Sequence, residues 1–255
     1  MLILLVGEYK TGKTVSACTF PKPLLYLDFD DGLSSTFNAR DKTGKLIVSD
    51  TDKITKVPFF KNEANDLTFK TAQDKGGMIG GAPQHTKSSI DVMKQYNQVI
   101  RDLEAGTYGN VQTLVIDSLT AMFRLWKEAL MATNGVPALR IADYMTLEQV
   151  LFNQFIPTLK TLQKKIPYII LIDHVMMDKD EISGRIIEFP VGPSANMGKA
   201  LGKEFDEIWY QQVEGGGDGY IWRTRKFGFF QAGSRLALPD PIKPATFQEL
   251  SKYIK

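Results

Sequence analysis

Near the start of the chain, Gly7–Thr14 reads GEYKTGKT and satisfies the spacing G-x-x-x-x-G-K-[ST] in full. Glycines let backbone N–H groups close around a β-phosphate. The lysine adds charge to the β- and γ-phosphates, and the final hydroxyl ligates Mg²⁺. Gly7, Glu8, Tyr9, Lys10, Thr11, Gly12, Lys13, Thr14 and Val15 are therefore the expected residues for a nucleoside triphosphate, with Thr14 as a metal ligand. Lys10 is an extra cation of the loop, more simply read as solvated than as a phosphate contact.

Other polar residues stand at the ends of apolar runs. Asp117 closes TLVID, where a carboxylate suits a Walker B role toward Mg²⁺. Asp28, Asp30 and Asp31 follow LLYL, and Asp30 is the expected base for an attacking water. His174 follows YIILID, a position from which a polar side chain can sense a γ-phosphate and move the next loop. Arg223, Arg225 and Lys226 end a late strand. They read either as a solvated basic strand end or as groups that reach a neighbouring subunit's γ-phosphate. The stretches Asn134–Arg140 and Met176–Met197 hold Arg140, Lys179 and Arg185, with Lys199 just beyond, next to Met176, Met177 and Phe189. Cations mixed with apolar side chains suit a single nucleic-acid strand, whose phosphates and base faces need both. Ordinary surface loops have the same composition.

These positions need a scaffold that brings strand ends together. Leu2–Val6, a helix from Lys13 to Thr19 and Leu24–Phe29 form a βαβ unit, which implies a parallel sheet. Apolar spacing predicts helices over Ser89–Leu103, Leu119–Leu130 and Ala142–Lys165, the last with a kink at Pro157. Thr113–Asp117 and Tyr168–Asp173 are buried strands. Val175–Met197 is expected to be a loop, with room for a small hairpin around Ser183-Gly184, and Ala195–Glu204 a short helix. Ile208–Val213 and Tyr220–Arg225 flank the turn EGGGDG and read as an antiparallel hairpin. Residues 41–87 are rich in Lys, Asp, Thr and Gly and read as an insertion or variable segment. Leu46–Val48 and Val57–Phe60 are its strand candidates, and Gly76–Lys87 a loop.

The bulk composition narrows the class. With 255 residues, 43% of them hydrophobic, the chain fits one large domain. Cys18 is the single cysteine, so an internal disulfide is excluded. A net charge of +2 does not by itself announce nucleic acid, so any such surface is local. The longest apolar runs are too short for a membrane span, and a cytoplasmic protein with no membrane partner is expected.

In order and type, GEYKTGKT, LLYLDFDDGLSS, TLVIDSLTAM, YIILIDHV, KEFDEIWY and the TRK segment resemble the RecA-like ATPase core. More narrowly, the chain is similar to the small core-only RecA-like proteins of bacteriophages, the Sak-type single-strand annealing ATPases. The resemblance implies a RecA-like P-loop α/β core over residues 1–255, a mostly parallel sheet flanked by helices with a C-terminal antiparallel hairpin. It implies ATP and Mg²⁺ as cofactors, DNA-stimulated hydrolysis that is slow because Asp30 is shorter than a glutamate, and single-stranded DNA as partner. It also implies a homo-oligomer, a single-strand-binding protein as a further partner, and the host cytoplasm as the setting. Lys13 and Thr14 match the phosphate and metal residues, and Asp117 the Walker B acid. Asp30 stands where RecA proteins carry the catalytic glutamate, and His174 where they carry a glutamine sensor. Arg140, Lys179, Arg185 and Lys199 fall in or beside the two DNA-binding loops. Arg223 and Arg225 or Lys226 fall near residues that act across a subunit interface. The P-loop begins at residue 7, which points to a ring or short filament built on the core interface alone. A helicase or motor core, and a regulatory ATPase without nucleic acid, are the other readings of these features.

Overall fold

The first strand shows how the sequence builds the sheet. β1 (Leu2–Gly7) is buried at every position, as a strand covered on both faces must be. Its side chains alternate between two cores. Leu2, Leu4 and Val6 join one apolar cluster, while Ile3 and Leu5 join the other. β2 (Leu24–Asp28), β4 (Thr113–Asp117) and the first half of β5 (Tyr168–Lys179) repeat that division. This is a computed structural model, and it describes residues 1–41, 43–59, 86–179, 184–214 and 219–254.

The sheet runs β3-β2-β4-β5-β1-β7-β8, where β3 is Ile54–Pro58, β7 Glu207–Val213 and β8 Tyr220–Arg223. Pairing is parallel from β3 through β7, and β8 closes the edge antiparallel to β7. β6 (Ile186–Pro190) pairs with β5, and β9 (Gly233–Ser234) with β7. One core holds Tyr96 and Ile100 of α3 (Thr86–Ala105), Met122 and Trp126 of α4 (Leu119–Asn134) and Leu159 of α6 (Ile156–Leu162). The other holds Val15 of α1 (Lys13–Ala17), Leu33 of α2 (Leu33–Thr36), the Trp209–Trp222 stack and Leu250 of α8 (Phe247–Leu250). The expected RecA-like P-loop core, with its mostly parallel sheet and antiparallel strand pair, is the observed one.

Three local outcomes differ from the sequence reading. The helix expected over Ala142–Lys165 is α5 (Ile141–Gln149), a π-helical segment Val150–Phe155 and α6. Pro157 stands in the first turn of α6, where its missing N–H is tolerated, and the widened turn precedes it. β5 does not stop at Asp173. It continues to Lys179 and pairs antiparallel with β6 on either side of the position expected for a small hairpin, so the expected loop from Val175 is largely a ribbon longer than that hairpin, followed by α7 (Ala195–Leu201). Within the stretch 41–87, Ile54–Pro58 forms β3 and pairs with β2. Of the loop expected over Gly76–Lys87, residues 76–85 lie outside the described residues, as do Phe60, Ser183 and residues 215–218 of the last turn. No described helix is long and apolar enough to cross a membrane.

Register aligns the chemistry. Gly7 of β1 lies beside His174 of β5, Asp28 beside Asp117, and Asp117 beside Ile172. The carboxyl ends of four parallel strands therefore open on one edge, where ligands of open α/β sheets bind.

Candidate nucleotide-binding site

The loop between β1 and α1 keeps its shape through close backbone approaches. A Cβ on Gly7 would lie 2.4 Å from the Gln211 carbonyl oxygen, so a side chain is excluded there. Gly12 has φ +78, and a Cβ on it would meet the Tyr220 ring at 2.4 Å. Lys10 takes a left-handed φ of 61. The β7–β8 pair anchors the loop from beneath. Trp222 Nε1 donates to Gln211 Oε1 at 3.0 Å, and Gln211 Nε2 donates to the Thr11 carbonyl at 2.7 Å, with Trp222 and Gln211 fully buried. Buried polar atoms of this kind stay in register because an unmade bond there is costly.

Lys13 is buried and donates to the carbonyls of Gly7 at 2.9 Å and Glu8 at 2.7 Å. Burial lowers its pKa to about 8, against the pull of Asp117, Asp173 and Asp30. Thr14 Oγ1 donates to Asp117 Oδ2 at 2.6 Å, and the Tyr26 hydroxyl donates to the same oxygen. Burial raises the Asp117 carboxyl to about 6, and those two hydrogen bonds oppose the rise. A hydroxyl and a buried carboxylate oxygen side by side form a hard oxygen donor pair that fits Mg²⁺, with Thr14 and Asp117 as its holders. When bound, that cation neutralises charge on the nucleotide's phosphates.

The acidic end of β2 divides its roles. Asp28 is fully buried, takes the N–H groups of Asp30 and Gly32 on Oδ1, and pairs with Lys56 Nζ at 3.1 Å through Oδ2. Asp30 is exposed at the cleft and accepts the Ser118 hydroxyl. Asp173 is fully buried at the end of the first half of β5, and burial pushes its carboxyl up to about 8. Thr120 Oγ1 lies 2.6 Å from Asp173 Oδ1 and 3.0 Å from His174 Nδ1. Burial, helped by Lys13, lowers His174 to about 4, and its ring stacks on Tyr9 at 4.2 Å.

Of the residues expected from sequence, one cleft of about 360 Å³ gathers Lys10, Thr11, Gly12, Lys13, Thr14, Val15, Asp30, Asp117 and His174. Tyr9 faces the adjoining cavity, which Asp30 and His174 share. Other expected residues lie elsewhere. Arg223 stands beside Tyr210, two strands from the P-loop strand, with its guanidinium 4.7 Å from the Phe227 ring and 3.8 Å from Asp240. Arg225 and Lys226 are exposed. Arg140 pairs with Asp143 at 3.1 Å at the start of α5, and Lys199 with Asp178 at 2.8 Å. Lys179 ends β5 and Arg185 precedes β6, both exposed. The sequence reading missed Tyr220, Tyr26, Gln211, Lys56 and Thr120. A tyrosine inside the apolar run LLYLD was the one available signal, since a buried phenol needs a partner.

A P-loop between β1 and α1, a hydroxyl–carboxylate pair that joins α1 to the end of β4 and a parallel sheet of this order define the class: a P-loop ATPase with a RecA-like core. A profile of the AAA_24 family of AAA domains matches residues 1–236, and the chain belongs to that family. No curated protein matches it. Among solved structures it is similar to a KaiC-like protein of Pyrococcus horikoshii, at 15% identity and TM-score 0.43, covering 96% of this chain and 87% of that one. It is also similar to the flagellar accessory protein FlaH of Methanocaldococcus jannaschii, at 10% identity and TM-score 0.43, covering 94% and 83%.

Proposed function

We propose that this ATPase binds single-stranded DNA in an ATP-dependent way and anneals or exchanges strands, in the manner of the core-only RecA-like proteins of bacteriophages. The observation that carries the reading is the path of β5. It leaves the cleft at Asp173 and His174 and runs without a break into the β5–β6 ribbon, which exposes Met176, Met177 and Ile186 beside Lys179. Apolar side chains accept base faces and lysines meet phosphates, so the ribbon suits a single strand. Lys13, Thr14 and Asp117 hold ATP with Mg²⁺, Asp30 takes the proton of the attacking water, and His174 reads the γ-phosphate. Arg223, Arg225 or Lys226 of one subunit completes the site of the next in a homo-oligomer. Hydrolysis then releases DNA. A single-strand-binding protein as further partner and a phage-infected cytoplasm as setting belong to the same reading.

The test is fluorescence anisotropy of a labelled single strand with ATP at rising salt. Phosphate contacts release counterions, so affinity falls by about tenfold or more between 50 and 200 mM salt. Binding that is absent, or indifferent to salt, overturns the reading. A regulatory ATPase without nucleic acid is the second reading, favoured by the local pairing of Arg140 with Asp143 and Lys199 with Asp178. Unwinding of a duplex by the pure protein would instead mark a motor core.

A further inference from the structure

The contacts of Asp173, Thr120 and His174 form one chain of exchangeable protons. Thr120 Oγ1 is 2.6 Å from Asp173 Oδ1 and 3.0 Å from His174 Nδ1, so the single hydroxyl stands between a carboxyl and an imidazole. The backbone N–H of His174 donates to Asp173 Oδ1 at 2.9 Å, and the face of Tyr9 lies on the ring. The ring is therefore held from two sides, and its orientation leaves Nε2 as the nitrogen not taken by Thr120. His174 lines both the nucleotide cleft and the adjoining cavity.

A hydroxyl has one proton, and a carboxyl proton on Oδ2 would find no acceptor among the described residues, so the chain has two consistent orders. With Asp173 ionised, Thr120 donates to the carboxylate, His174 Nδ1–H donates to Thr120, and Nε2 is bare. With Asp173 protonated, its Oδ1–H donates to Thr120, Thr120 donates to Nδ1, and the ring proton sits on Nε2. The neutral ring is a donor toward the cleft in one order and an acceptor in the other. The surroundings of Asp173 favour the second. Its side chain is fully buried, and Oδ2 has no hydrogen-bond partner among the described residues, so an ionised carboxylate would leave one oxygen without hydrogen-bond compensation. The charged groups that act on the pair are Lys13, which acts on both, and Asp30, which acts on His174.

We infer that Thr120 passes the protonation of the buried Asp173 to His174, so that the acid sets which tautomer the ring presents to the nucleotide. In the resting protein this is the Nε2–H form, a donor suited to a γ-phosphate oxygen, and Thr120 and Asp173 are positioning residues for it. The inference rests on the reading of His174 as the γ-phosphate sensor, and its deciding readout, the ring tautomer, does not depend on DNA or on hydrolysis.

The sequence has two histidines, His85 and His174, so ¹⁵N-histidine NMR of a His85→Gln protein reports His174 alone. At pH 7 the Nε2–H tautomer is expected. Asp173→Asn keeps the carbonyl that accepts from the His174 N–H but cannot donate from it to Thr120, so the signal moves to the Nδ1–H tautomer. Thr120→Ser keeps the wild-type tautomer, which shows that the fold tolerates change there, and Thr120→Val uncouples the ring from residue 173. ATP turnover falls about tenfold in Asp173→Asn and Thr120→Val and is kept in Thr120→Ser, in line with the worth of one well-placed hydrogen bond. An unchanged tautomer in Asp173→Asn, or an Nδ1–H form in the wild type, overturns the inference even if the protein binds DNA. A tautomer shift in a protein that binds no DNA upholds it and removes only the DNA reading.

Discussion

Thr14 donates its hydroxyl proton to Asp117 at 2.6 Å across 103 residues of chain, which ties the first turn of α1 to the end of β4. The motifs assign both residues to one Mg²⁺, but their direct contact is not written in either segment. The register that places Asp28 beside Asp117, and β1 two strands away, brings them together.

That pair trades stability for function. The Asp117 carboxyl is raised to about 6 by burial, above its ordinary value of 3.8. The native state therefore holds the proton more tightly than the unfolded chain, and the stability tied to it is lost as pH rises through about 6. Asp117→Asn escapes the loss. Without nucleotide it is expected to be more stable than wild type at pH 7.5, by on the order of 2 kcal/mol, and about equal at pH 4. Its ATP turnover is expected to fall at least about 100-fold. Urea denaturation at both pH values and a steady-state assay check the two halves.

Gly12→Ala is expected to cost about 2 kcal/mol or more and to abolish nucleotide binding. The added Cβ meets the Tyr220 ring at 2.4 Å, and φ +78 strains any L side chain. Tyr220→Ala in the same chain removes the clash and leaves the backbone strain, so it restores part of the loss. A double-mutant cycle by thermal or urea melting measures the coupling.

Lys56→Met is expected to destabilise by about 1–3 kcal/mol, because the fully buried Asp28 then loses its cation. The lysine is itself partly exposed, which holds the cost below that of a wholly buried pair. Asp28→Asn in the Lys56→Met background recovers most of the loss, since the amide still accepts the N–H groups of Asp30 and Gly32. Denaturation midpoints of the three proteins decide it.

The fold was legible where burial writes a pattern. LILLVG, LLYLD, TLVID and YIILID are apolar on both faces, and only covered parallel strands need that. The P-loop was legible because its chemistry fixes residue types at fixed spacing. The β5–β6 ribbon was legible only as a small hairpin around Ser183-Gly184 and not in its length, because Met176, Met177, Asp178 and Lys179 are exposed and no core face imposes an alternation. Backbone pairing with Ile186–Pro190 holds it instead. Tyr220 and Gln211 were hidden for another reason. Their work on Gly12 and on the Thr11 carbonyl depends on the edge hairpin folding beneath a loop some 200 residues earlier in the chain. Thr120 was hidden in the same way, since it reaches Asp173 across 53 residues.

The most direct test of the account is steady-state ATP hydrolysis with and without single-stranded DNA, in wild type and Lys13→Ala. Lys13 lines the cleft and donates to the carbonyls of Gly7 and Glu8, so its loss removes the P-loop's charge. The account predicts turnover that rises with DNA and is lost in Lys13→Ala under both conditions. Turnover that survives in Lys13→Ala would contradict the nucleotide site, and wild-type turnover indifferent to DNA would contradict the coupling through β5.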